Sequence, residues 1–318
     1  MTAATDQIPS AGLAESSADS IAKGSKSFAA AARLFAPETR MDAVMLYAWC
    51  RHADDLIDGQ TLGHAQQANF RQGQRQRLEE LREATRGALE GAHSRDRAFE
   101  ALHLVVERHR IPHRYPLELV RGFEMDVEER VYDTLDDTLD YCYHVAGVVG
   151  VMMAMIMGVR DRRVLDQAND LGIAFQLTNI ARDVIDDARA GRVYLPSQWL
   201  EDAGLTGFDP EDRDQWPVLH GLALRLLDHA EPHYASAYRG IAALPARSAW
   251  AIAAARRVYR DIGRKLRNEG PKSWEGRVAT SKARKVGLLL LSLGDVAATR
   301  LARDEDPADR VGLYRRPD

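Results

Sequence analysis

RMDAVMLYAWCRHADDLID (Arg40–Asp58) sets three aspartates into a run whose apolar spacing is that of a buried helix. At about 100° per residue, Leu46, Cys50, Ala53 and Ile57 share one stripe. Tyr47, Arg51, Asp54 and Asp58 share a second stripe roughly 100° away. Asp55 points elsewhere. Like charges one turn apart destabilise a helix slightly, so a pair kept beside an apolar stripe calls for a purpose. Two such carboxylates can hold a hard divalent cation such as Mg²⁺. A solvated acidic face is the competing reading of this motif taken alone. A calcium loop fails, because Leu56 and Ala65 stand where its third and twelfth ligands belong.

Helical periodicity continues outward from this stretch. DQANDLGIAFQLTNIARDVIDDA, PVLHGLALRLLDHAEPHYASAYRGIAAL and SAWAIAAARRVYRDIGRKLR all space their apolar residues by three and four. Period-two runs are nearly absent. Breaks fall at Pro112–Pro116, Arg189–Pro196, Gly207–Pro217 and Asn268–Gly276, and none has the composition of an interdomain linker. The expectation is therefore an all-α, single-domain helical bundle over 21–300, between a disordered segment (1–20) and a mobile charged tail (301–318).

A formal charge of −4 across 318 residues argues against a nucleic-acid binder. Two cysteines, Cys50 and Cys142, make neither a disulfide framework nor a metal spacing, so a reducing cytoplasm is expected. The N-terminal residues lack the pattern of a signal peptide. The longest uncharged apolar stretch, Val145–Val159, is shorter than a bilayer requires and is read as a buried helix.

QLTNIARDVIDD (Gln176–Asp187) repeats the first design. Gln176, Asn179, Asp183 and Asp187 form a file beside an apolar face of Ile173, Leu177, Ile180 and Val184, with Arg182 and Asp186 off to the opposite edge. Two files of oxygen ligands facing each other would repel strongly when empty, and divalent cations bridging them to an anionic ligand would relieve that repulsion. Mg²⁺ combines a few carboxylates with waters and phosphate oxygens, so a diphosphate with a hydrocarbon tail is the natural guest. No phosphate-binding glycine loop is present, which argues against a nucleotide.

Together with GSKSF (Gly24–Phe28), YCYHVAGVVG (Tyr141–Gly150) and VYRDIGRKLR, these motifs make the chain resemble the squalene/phytoene synthase family of head-to-head prenyltransferases over roughly residues 20–300. The resemblance implies an isoprenoid synthase bundle with a central apolar cavity. It assigns Asp54, Asp58, Asn179, Asp183 and Asp187 to metal binding, with Mg²⁺ or Mn²⁺ as cofactor and no NADPH. It implies that Arg51 and Arg182 hold diphosphate oxygens or pair with the acids. Ser25, Ser27, Tyr47, Tyr194 and Tyr259 would lie near the diphosphate, and Arg277 is a further candidate there. Phe28, Tyr141, Val145 and Gly150 would line the prenyl cavity, and Gln176 would contact substrate. Ser25 and Ser27 as helix caps, and Tyr259 as a packed core ring, are the structural alternatives. His52 and His144 receive no role.

The implied reaction joins two geranylgeranyl diphosphates into phytoene through a cyclopropylcarbinyl diphosphate, a step of carotenoid biosynthesis. Farnesyl diphosphate, giving dehydrosqualene or squalene, is the alternative. A non-catalytic assembly or lipid-binding relative would be expected to lose metal ligands, and both files here are intact. The basic run from Arg256 to Lys285 is read as a solvated face and diphosphate counter-charge, with peripheral contact to an anionic membrane as the other reading.

Overall fold

A computed structural model describes residues 31–59, 71–276, 278, 280–302 and 310–317. It is 76% helical, with no strand among the described residues, which bears out the all-α expectation. The chain divides into two compact units, residues 1–123 and 124–318.

In the first unit, Pro37 pre-sets the opening turn of α1 (Pro37–Asp58). Trp49, Met45, Leu46 and Ile57 are almost fully buried along it. Gly59 ends the helix with φ of 58°, a left-handed conformation that costs glycine nothing, and its N–H donates to the Asp55 carbonyl. Side chains of α2 (Gln74–Leu89) finish the capping: Arg77 Nε donates to Leu56 O at 2.9 Å and Gln74 Nε2 to Ile57 O at 3.3 Å. The carbonyls left open beside Asp58 are thereby satisfied. α3 (Arg97–His109) packs on α1 and sends Arg108 and His109 to the buried carboxylate of Asp42. α4 (Arg114–Val127) contains the boundary between the units.

The second unit is organised around α7 (Arg162–Arg189), 28 residues long and capped by Asp161, whose carboxylate accepts from Val164 N at 3.0 Å. Against α7 pack α6 (Val148–Ile156), α9 (Trp216–Gly240) and α10 (Ala246–Glu269). α5 (Leu135–Cys142) leads into α6 through a π-helical turn, Tyr143–Gly147. Such single π turns are common at functional sites. α8 (Ser197–Asp202) and α11 (Lys282–Leu301) complete the set.

The crossing of α6 on α7 depends on glycine. A Cβ at Gly150 would stand 2.4 Å from Ala168 O, and one at Gly172 2.3 Å from Ala146 O. The apolar run is longer than its sequence suggests, because helix is continuous over Leu135–Ile156, long and apolar enough to cross a bilayer by length and composition. With 67% of its apolar window buried within the fold, it is a core helix.

The charged tail is held at its end. Arg310 donates to both carboxylate oxygens of Asp170 at 2.8 Å, and Arg316 pairs with Asp166. Tyr314 donates to Asp140 at 2.9 Å and stacks on Tyr143. Asp170, fully buried, also receives the Ser236 hydroxyl and lies 3.2 Å from His233 Nδ1.

Candidate active site

On α1, Tyr47, Arg51 and Asp54 are half-buried and Asp58 is buried, while Leu46, Ala53 and Ile57 form the core-facing stripe. Arg51 is a hub: Nη1 lies 3.0 Å from Asp54 Oδ2 and Nε donates to Asp55 Oδ1 at 3.1 Å. Asp55 therefore belongs to the cluster although its Cβ leaves the helix on another bearing. The long arginine side chain spans the angle that a helical projection treats as separation. Cys50 contributes no nucleophile, because burial and then the Asp54 carboxylate push its thiol up to about 12.

On α7, Gln176, Asn179, Asp183 and Asp187 are half-buried in file, and Ile173, Leu177, Ile180 and Val184 are buried beside them. Asp186 is exposed. Asn179 Nδ2 donates to Gln176 Oε1 at 3.3 Å, giving those two amides a shared orientation. Arg182 folds over onto its neighbour Asp183, with Nε to Oδ1 at 2.7 Å and a second, shorter contact to Oδ2. Tyr259, from α10, stacks on Phe175 of α7 with ring centroids 4.0 Å apart.

Asp187 is the most strained acid of the file. Burial, then the Asp183 carboxylate, raise its carboxyl well above the usual range, with Asp126 adding to the shift and Arg192 opposing it. A small cavity lies beside it, lined in part by Ile180, Val184, Arg192, Tyr194 and Phe208.

Asp126 is the residue that sequence reasoning missed. It receives the Tyr194 hydroxyl at 2.8 Å and the Tyr141 hydroxyl at 3.1 Å, and the two rings stack with centroids 4.5 Å apart. Burial, then the Asp126 charge, hold both phenols well above their ordinary range, so they remain neutral donors. The available signal was one acid among several, with Glu124, Glu128 and Glu129 beside it, which no motif pattern singles out.

Of the cavity candidates, Tyr141 is buried in this aromatic stack, Val145 is half-buried on the π turn, and Gly150 lies against the α7 backbone. Ser25, Ser27, Phe28 and Arg277 lie outside the described residues. His52 Nε2 lies 3.1 Å from Asp96 and edges Phe99, while buried His144 Nδ1 lies 2.8 Å from Asp140 O. Both have local structural partners.

Among the described residues no three His, Cys, Asp or Glu side chains converge to enclose a metal by themselves. The donor set instead offers spaced carboxylates and an amide. That suits Mg²⁺, which binds through one or two carboxylates and completes its octahedron with water and phosphate oxygens.

An all-helical chain with carboxylate files bordering apolar faces falls among the isoprenoid synthases, and the solved structures it matches have that fold. A ligand-bound dehydrosqualene synthase superposes with a TM-score of 0.81 at 26% identity, covering 91% of this chain and 98% of the other. The squalene synthase HpnC from Alicyclobacillus acidocaldarius gives 0.70 at 25% identity, covering 83% and 97%. The squalene/phytoene synthase family model matches residues 21–284. The chain belongs to that family. It is 54% identical to the 15-cis-phytoene synthase of a Paracoccus species over 96% of this chain and 98% of that one. It is 51% identical to the phytoene synthase of Pseudescherichia vulneris with the same coverage.

Proposed function

We infer that the chain is a 15-cis-phytoene synthase, a prenyl-transferring enzyme that joins two geranylgeranyl diphosphates head to head in carotenoid biosynthesis. The observation that carries this reading is the file of Asn179, Asp183 and Asp187 along a buried apolar wall on α7, in a chain about half identical to bacterial phytoene synthases end to end. Acids raised on an apolar helix face suit a substrate that is ionic at one end and hydrocarbon at the other.

In this reading Asp54 and Asp58 on α1, and Asn179, Asp183 and Asp187 on α7, supply the oxygens for Mg²⁺. When bound, the cation draws charge from the diphosphate and favours its departure. Arg51 is paired with Asp54 and Asp55, and Arg182 with Asp183, and each would exchange those partners for diphosphate oxygens when substrate binds. Stacked Tyr141 and Tyr194 hold Asp126 in orientation through their hydroxyls. Apolar walls beside the acids would exclude water from allylic cations. The product-determining sequence runs through a cyclopropylcarbinyl diphosphate that ionises, rearranges and loses a proton.

The likeness to dehydrosqualene synthase supports a second reading, in which the fifteen-carbon farnesyl diphosphate is the substrate. Turnover of geranylgeranyl diphosphate with Mg²⁺ by wild type, and its loss on Asp58→Ala or Asp187→Ala with the fold intact, supports the first. Near-normal turnover by either variant would overturn the metal-binding roles.

A further inference from the structure

α11 is built inside out. Its packed side carries polar groups: Asp295 is buried and ion-paired with Arg257 of α10 (Nη2 to Oδ1 2.6 Å), and Ser292 and Thr299 are buried with it. Trp250 Nε1 of α10 donates to Leu289 O at 3.0 Å, fixing the same side. Its outer side is apolar: Val286, Leu290, Leu291 and Leu293 are 47–62% exposed, and Leu301 is 84% exposed. On a helical projection, the exposed residues from Leu293 round to Leu291 span an arc of roughly 160°. Ala283, Gly287, Gly294, Ala297 and Ala298 fill that arc, and no charged residue interrupts it.

The charges stand at its edges. Lys282 and Arg300 fall on one border of the arc, and Arg284, which is ion-paired with Asp261 of α10 at 2.9 Å, on the other, roughly 20° outside the last apolar residue on each side. α11 carries four basic residues and one acid, and that acid is the buried Asp295. An apolar face bordered by lysine and arginine is the pattern of a helix lying in the plane of an anionic lipid surface: leucines enter the acyl boundary while the basic side chains reach the headgroups. A second copy of the chain would bring the same basic borders against each other, and such like-charge contact opposes pairing.

The basic run that the sequence offered as a membrane contact is largely engaged elsewhere. Arg256 donates to Tyr234 O, Arg260 pairs with Glu231 and Arg267 with Asp228. Those residues are held by partners on α9, whereas Lys282, at the C-terminal end of the same run, already belongs to α11.

We propose that the outer face of α11 docks the protein on anionic membrane through Val286, Leu290, Leu291, Leu293 and Leu301, with Lys282 and Arg300 on one border against lipid headgroups. This stands independently of which prenyl diphosphate the enzyme uses. The full chain is sedimented with phosphatidylglycerol/phosphatidylcholine vesicles and with phosphatidylcholine vesicles alone. The comparison is a variant combining Val286→Ser, Leu290→Ser and Leu293→Ser; its melting transition, its sedimentation velocity without lipid and its turnover in detergent are recorded in parallel. The expected result is binding to the anionic vesicles that weakens with salt, and roughly tenfold or greater loss in the variant, with melting and turnover unchanged. Equal vesicle binding by the variant overturns the proposal. So does failure of the wild type to bind, and velocity data showing a wild-type dimer that the variant abolishes would then assign the face to a second copy.

Discussion

Tyr194 and Asp126, 68 residues apart in sequence, are joined by a hydrogen bond of 2.8 Å from the phenol to the carboxylate. Tyr141 donates to the other oxygen at 3.1 Å, so the acid has one aromatic donor on each side. Burial keeps both phenols neutral, so both remain hydrogen-bond donors to the acid. Tyr194→Phe should destabilise the protein by about 1–2 kcal/mol, the cost of leaving a half-buried carboxylate short of a donor. Denaturant titration of both single variants and of the double Tyr141→Phe/Tyr194→Phe checks it, and additive losses would show that the two donors act independently.

Gly172 separates packing from helix propensity. Alanine there would place its Cβ 2.3 Å from Ala146 O and 2.7 Å from Gly147 Cα, contacts with backbone that cannot swing away. Gly172→Ala should cost about 2 kcal/mol or more by forcing α7 from the π turn. Gly221, on α9 with nothing within 4 Å of an added Cβ, should gain up to about 1 kcal/mol as alanine. Thermal melts of both read the contrast directly.

Asp170 and Arg310 set an acid limit. Burial alone would raise the Asp170 carboxyl, but Arg310 and then His233 outweigh it and hold it below the usual carboxylate range. A depressed folded-state pKa contributes stability that is present above the ordinary value and lost as pH falls through the lowered one. Arg310→Ala should destabilise by about 3 kcal/mol at neutral pH, because it leaves a buried charge short of its main partner. The loss should shrink toward acid pH, where the unfolded carboxyl is protonated, and urea titrations across pH measure it.

Asp187 works with the opposite sign. Its raised folded-state pKa means that apoprotein stability falls as pH rises from the ordinary carboxylate range through the raised value. Asp187→Asn should therefore melt at or above the wild-type temperature in EDTA at neutral pH while losing turnover. Mg²⁺ should raise the wild-type melting temperature, by about 2.7 kcal/mol of stability at a hundred times Kd, and leave the variant nearly unmoved. A variant that melts far below wild type in EDTA contradicts this account of the acid file.

Much of this was legible in the sequence, because a helix converts spacing directly into shared faces. The apolar stripes of α1 and α7 and the acid files beside them are consequences of a 3.6-residue period. What was not legible depends on side-chain reach or on distant chain. Arg51 captures Asp55 across the helix surface, and Arg182 turns back onto Asp183, because a guanidinium on a long stem ignores Cβ bearings. Asp126 has no local signature; its meaning comes from tyrosines 15 and 68 residues away. The end of the charged tail reads as mobile by composition, yet Arg310 and Arg316 find Asp170 and Asp166 some 140 and 150 residues earlier.

The central claim is tested most directly by product identification. Purified protein is incubated separately with geranylgeranyl and farnesyl diphosphates, with Mg²⁺ and without NADPH, and the extracted hydrocarbons are resolved. The account predicts phytoene from the twenty-carbon substrate, abolished by EDTA. Product from the fifteen-carbon substrate alone would contradict it.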